Sequence, residues 1–247
     1  MGKWKKWLSA GLFTAMLGTA IIAGPTADVS ANAGNKPYNI ENVSPDAHLA
    51  PSVGDSSSKT SSKAWHKIDG VCYNGSGKKV EGAITRGMDV SEWQGKINWK
   101  EAKKDLDFAF VRISYGTRHL DDYYAYNMTE AEAADVPVGT YVYSLAKTNK
   151  EALAEAQLAI RQMQGHKVSY PVAFDLEDEA TLGTLTRKEI SQIALTFCDE
   201  IRKAGYTPIL YMNLNWYNNF VDWNVLEGSG LDVWIASYGD TILAPSA

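Results

Sequence analysis

The sequence predicts an α/β protein whose parallel strands are covered by helices and curl into an irregular, TIM-like barrel. From Ile84 onward, apolar strand-like runs alternate with amphipathic helical patterns, and that alternation produces parallel strands joined by crossover helices. The stretch YPVAFDLEDE at 170–179 reads as a buried strand running straight into four carboxylates, Asp175, Glu177, Asp178 and Glu179. In a parallel barrel, ligands are handled at the C-terminal strand ends. Pattern alone also admits a doubly wound open sheet, but no Gly-rich phosphate loop follows the first strand, so a nucleotide site has little support.

Taken in order, the chain opens on MGKWKKW, with three lysines, followed by the 17-residue apolar run LSAGLFTAMLGTAIIAG. Small-x-small cleavage candidates follow at Val29-Ser30-Ala31 and Ala31-Asn32-Ala33. This is the layout of a secretory signal peptide over 1–31. The alternative, an uncleaved anchor, is disfavoured because the run falls short of the ~20 residues that span a bilayer. Residues 32–63, containing SVGDSSSKTSSK, are too polar to build a core and read as a disordered linker. Residues 64–83 hold short β-like runs broken by Asn74-Gly75 and Gly77, a small hairpin lead-in. The domain itself is placed at 84–247.

Within it, strands are expected at RGMDVS, DFAFVRISYG, VPVGTYVYSLA, YPVAFDLE, TPILYMN and LDVWIASY. Helices are expected at WKEAKKDL, YYAYNMTEAEAAD, NKEALAEAQLAIRQMQ, TRKEISQIALTFCDEIRKAG and NWYNNFVDW. The third helix has apolar residues at 152, 153, 156, 159, 160 and 163, which is helical spacing. The fourth opens on a capping box, Thr186 with Glu189, and closes at Gly205.

The net charge of −5, with no basic block, argues against nucleic acid as a partner. Removing residues 1–31 would leave about −7. An exported protein has the option of pairing Cys72 with Cys198, but Cys198 lies on the apolar stripe of Ile190, Ile193, Ala194, Phe197 and Ile201, which favours a buried free thiol. His48, His66, His119 and His166 are scattered without zinc-site spacing, and no metal or cofactor is expected.

The acids carry the chemistry. Residues two apart on a strand share a face, so Asp175 and Glu177 point the same way, their attachment points about 6–7 Å apart. Phe174 and Leu176 face the helices. Such a pair suits glycosidic cleavage: one carboxyl protonated to donate to the leaving oxygen, the other charged to stabilise the developing cation. Mutual repulsion and burial separate their pKa values. A strand terminus that is merely solvated, or an acidic helix start, accounts equally well for D-x-E alone. RGMDVSEWQGKINW adds Asp89 at another strand end, on the face of Gly87 and Ser91. Trp93, Tyr115, Tyr141, Tyr143, Tyr211, Trp216, Trp234 and Tyr238 sit near strand ends, where flat rings suit sugar faces. Each ring alone is more often core packing.

With GMDVSEWQG, FAFVRISYGT, VGTYVYSLA, YPVAFDLED, ILYMN and VWIASY in that order, the sequence resembles the glycoside hydrolase family 25 lysozymes, the Chalaropsis-type muramidases, over roughly 84–240. The resemblance implies five β/α units plus additional strands, and cleavage of the β-1,4 bond between N-acetylmuramic acid and N-acetylglucosamine in bacterial peptidoglycan. It implies Glu177 as catalytic acid, with Asp175 and Asp89 as supporting aspartates; both aspartates are expected to be ionised at working pH. Asp175 acts either as direct nucleophile or by orienting the substrate's own N-acetyl group, and the short D-x-E favours the second. Trp93, Tyr115, Tyr141, Tyr143, Tyr211, Trp234 and Tyr238 are the expected substrate-binding aromatics. A chitinase of D-x-x-D-x-D-x-E type is excluded, because Tyr170 and Ala173 stand where it needs aspartates. A non-catalytic wall-binding protein on the same barrel is the alternative. The protein is expected to be a secreted or wall-associated monomer, free of the membrane once its leader is removed. Segments resembling WQYTS and VDLN, usual later in the family, do not occur before Ala247. Their absence predicts a C-terminally truncated chain, poorly soluble or inactive, with closing strands missing. The competing expectation is a short barrel whose edge the 64–83 lead-in covers.

Overall fold

A computed structural model describes residues 6–11, 18–23, 66–74 and 76–238. The expected cleavage sites, the 32–63 linker and the segment after Tyr238 lie outside the described residues.

Six strands form the parallel sheet: β5 (Ala83–Val90), β6 (Phe108–Tyr115), β8 (Val138–Tyr143), β9 (Val168–Asp175), β10 (Pro208–Asn213) and β11 (Asp232–Tyr238). They lie side by side in chain order, each parallel to the next. The result is a curled α/β sheet, a half-barrel. The short β7 (His119–Leu120) pairs with β6. Helices α1 (Trp99–Ala102), α2 (Tyr124–Ala133), α3 (Asn149–Met163), α4 (Glu179–Leu182), α5 (Arg187–Lys203), α6 (Leu214–Asn219) and α7 (Trp223–Leu226) fill the connections.

The sheet's outer edges are not bare. Two strands from the apolar leader, β1 (Lys6–Gly11) and β2 (Gly18–Ala23), pair parallel with β11 and antiparallel with β5. With residues 1–31 present, β11 and β5 thus each gain a partner, since an open edge is a template for any extended segment within reach; a chain without them would present both edges without those partners. The 64–83 lead-in does not cover an edge. Its hairpin, β3 (His66–Ile68) and β4 (Val71–Tyr73), turns at Asp69-Gly70, whose φ values of 50° and 81° are left-handed. Asn74 breaks the strand as expected: β4 ends at Tyr73, and the Asn74 side chain accepts from the Ser76 hydroxyl and the Lys78 amide in the turn that follows. Lys67 ties the hairpin to Asp107 at 2.7 Å.

The helix expectations largely hold. In α5 the Thr186 hydroxyl accepts from the Glu189 amide and the Glu189 carboxylate accepts from the Thr186 amide. Its stripe, Ile190, Ile193, Ala194, Phe197, Cys198 and Ile201, is buried. Cys72 and Cys198 are both buried free thiols. The expected helix at 99–106 is shorter, and that at 215–223 is divided, because Asp222 accepts from the Asn224 amide and starts α7.

Apolar residues pack on both faces of the sheet. Phe174 and Leu176 join the helix-side core, where Phe174 stacks on Phe197 at 4.1 Å. Phe108, Phe110, Ala173, Ile209 and Trp234 fill the concave side. Two glycines make room there: a Cβ on Gly87 would lie 2.2 Å from the Phe108 ring, and one on Gly139 2.5 Å from the Pro171 carbonyl and 2.6 Å from Phe110. Gly139→Val is expected to cost about 1–3 kcal/mol by overpacking, read as a melting-temperature fall of about 2–4 °C per kcal/mol. An unchanged transition would show that this wall yields freely.

Candidate active site

Asp175 ends β9 and is 4% exposed. Glu177 follows two residues later and Asp89 lies on β5, both half-buried. The carboxylates gather at one end of the sheet because β5 and β9 are parallel members of it, so their C-terminal ends open on the same side. Although part of Glu177 and of Asp89 still meets solvent, the dense surroundings desolvate all three acids. Burial pushes Asp89 up to about 6. Burial, then repulsion from Asp89 and Asp178, pushes Glu177 up to about 7. Asp175 is raised well above the ordinary carboxylate range by burial, then by Glu177 and Asp89. Its Oδ1 is buried without a partner. Desolvation and mutual repulsion thus hold all three carboxyls above the ordinary carboxylate range, each charge opposing ionisation of the others.

Beside the acids stands an aromatic wall. Tyr115 and Tyr143 stack at 4.8 Å, and both hydroxyls donate to Asp178 Oδ2, at 3.2 and 3.4 Å. Asp178 Oδ1 accepts from the Thr181 amide at 2.7 Å and caps α4, so one carboxylate orients the wall and starts a helix.

The model of Glycosyl hydrolases family 25 matches residues 88–244. The chain belongs to this family. Lysozyme M1 of Streptomyces globisporus is 26% identical over 164 residues, covering 62% of this chain and 55% of that protein. The modular autolysin LytC from Streptococcus pneumoniae shares the fold with a TM-score of 0.58 and 23% identity, over 72% of this chain and 44% of its own. The lysozyme from Streptomyces coelicolor does so at 0.52 and 23%, over 65% and 76%. The chain spans about half the length of the curated relatives it matches.

The family 25 domain sorts the expected aromatics by depth. Trp93, on a 3-10 turn capped by Ser91, is 48% exposed, and Tyr115 37%. Tyr143 is half-buried beneath Tyr115, and Tyr141 is half-buried close to Asp89 and Asp175. Tyr211 packs edge-on against Trp234 at 4.7 Å. Trp234, expected to bind substrate, is 4% exposed and packs against Phe110 and Tyr211 in the layer beneath the cleft. Trp216 is likewise no cleft residue, being fully buried on the helix side against Phe220. Tyr238 ends β11, and its side chain lies outside the described residues.

Sequence reading missed Asp178's hold on the tyrosines and the network around Arg112. Arg112 is 5% exposed on β6; its Nε donates to Asp121 at 2.8 Å, and its Nη2 lies 2.9 Å from Glu92. Asp121 also accepts from the Glu92 amide at 2.8 Å. This fastens the turn carrying Trp93, and the guanidinium opposes the upward shift of Asp175. The available signal was an arginine inside the otherwise apolar run FAFVRISY, because a buried cation demands partners. Among the described residues, Glu92, His119 and Asp122 have oxygen and nitrogen atoms close enough to share a cation. Glu92 there is already engaged by Arg112 and, at 2.7 Å, by His119.

Proposed function

We propose that this domain is a lysozyme that hydrolyses the β-1,4 bond between N-acetylmuramic acid and N-acetylglucosamine in bacterial peptidoglycan. The observation that carries the reading is the convergence of Asp89, Asp175 and Glu177, all with raised pKa values, at the C-terminal end of parallel strands in a family 25 chain. The names of its relatives, lysozyme and autolysin, support the same substrate. Glu177, held protonated near neutral pH, donates its proton to the leaving glycosidic oxygen. Asp175, ionised in the productive form, stabilises the charge that develops at the sugar. Glu177 then takes a proton from the incoming water.

Asp175's burial and unpartnered oxygen favour a role as acceptor for the substrate's N-acetyl N–H over direct attack on the sugar. A covalent glycosyl–Asp175 adduct trapped in mass spectrometry would overturn that assignment. Trp93 and the Tyr115–Tyr143 wall are the exposed surfaces for sugar, with Tyr141 and Tyr211 deeper. The barrel is read as five β/α units with additional strands.

The leader is proposed to direct export, with residues 32–63 tethering a monomeric domain that acts on the wall outside the membrane. No helix among the described residues is long and apolar enough to cross a membrane. Loss of turbidity from purified bacterial walls tests the activity, and binding without lysis would favour a wall-binding module instead. The pH profile is a second test. On soluble wall fragments, kcat/KM should fall as pH rises through about 7, where Glu177 loses its proton, and fall again below about 6 as Asp89 gains one. A flat profile across that range would remove Glu177 as the acid.

A further inference from the structure

We propose that Glu155 is a positioning residue for the cleft, fixing from the helix side of the sheet the turn that carries the Tyr143–Tyr115 wall. Glu155 lies in the middle of α3 and is 2% exposed, on a helix that otherwise buries Ala152, Ala156, Ala159 and Met163. A carboxyl on such a face is costly unless it is satisfied. Both oxygens are used: Oε2 accepts from the Ser144 hydroxyl at 2.8 Å and Oε1 from the Leu145 amide at 3.0 Å. The Ser144 hydroxyl in turn accepts from the Ala146 amide at 3.2 Å. One side chain therefore holds 144–146, the three residues directly after Tyr143.

That turn is bound to its neighbours on both sides. The Ser144 amide donates to the Asp175 carbonyl at 3.0 Å, and the Tyr143 carbonyl accepts from the Gly116 amide at 2.8 Å. Leu145 packs under Gly116, where an added Cβ would meet it at 3.2 Å. Gly116 follows Tyr115, so the turn supports the backbone of both stacked tyrosines and of the catalytic strand end. Neither partner of Glu155 is a cation. Burial holds its carboxyl near 7, above the usual range, which fits a group kept for its hydrogen bonds.

The inference rests on the reading of this cleft as a wall-cleaving site, and the two fail separately. Wild-type protein that binds walls without lysing them would sink the reading, while Glu155's role would still be measured by wall cosedimentation. The test compares E155A, E155Q and S144A, each below its own melting temperature. Glutamine keeps an acceptor for Leu145 and offers a donor to Ser144. E155A should raise KM on soluble wall fragments roughly tenfold, with kcat nearly unchanged, the mark of lost binding surface. It should weaken cosedimentation in step. E155Q should stay close to wild type, and S144A should move KM in the same direction by less. If E155A fails to fold, S144A and E155Q decide. An unchanged KM in E155A, or in S144A where E155A does not fold, would overturn the proposal. So would E155Q as impaired as E155A, or losses that track only the folded fraction.

Discussion

Glu177→Gln is expected to lower wall-lysing turnover by about 10²–10⁴-fold, the span ascribed to general acid–base catalysis, while the protein still sediments with walls. Glutamine preserves size and hydrogen bonding but cannot cycle a proton. Glu177 is the half-buried acid of the three whose carboxyl is pushed to about 7, so near neutrality it holds a proton and still reaches the cleft. The variant should fold as the parent does, since burial opposes the charged form of this carboxyl and the amide removes that cost. Near-normal lysis by Glu177→Gln would end the assignment. Lysis and wall binding lost together would point to a scaffold role instead.

Asp175→Asn is expected to behave in two opposite ways: turnover should fall by about 10²–10³-fold, the scale for removing one preorganised electrostatic stabiliser, while thermal stability above pH 7 should rise. Asp175 is 4% exposed, has one unpartnered oxygen and lies near Glu177, Asp89 and Asp178. Its carboxyl, and those of Glu177 and Asp89, titrate higher in the fold than in the unfolded chain. Between the two values the native state binds more protons, so stability is complete at acid pH and declines as pH rises through about 6 and then about 7. Asparagine withdraws one charge from that cluster. The gain in melting temperature should therefore be a few degrees at pH 8 and close to nil at pH 4, consistent with about 1–3 kcal/mol for an unsatisfied buried polar group and about 2–4 °C per kcal/mol. A variant equally destabilised at both pH values would mean that Asp175 is a structural anchor.

Much of this molecule was legible in one dimension. Period-two alternation in YPVAFDLE set Phe174 and Leu176 toward the helices and Asp175 with Glu177 on the opposite face, because side-chain direction along a strand is a local property. The Thr186–Glu189 box and the stripe of α5 were readable for the same reason. Family membership also lay in the sequence, carried by several motifs that resemble the family's in the family's order. What tertiary structure alone decided concerns partners that are distant in sequence. It set Trp234 behind Phe110 and Tyr211 as floor, while leaving Trp93 and Tyr115 open at the mouth. It joined Asp178 to two tyrosines, Arg112 to Asp121 and Glu92, and Glu155 to the turn after β8. It also raised the three carboxyls together, because desolvation and repulsion depend on what surrounds a charge in space, which composition and spacing along the chain do not encode.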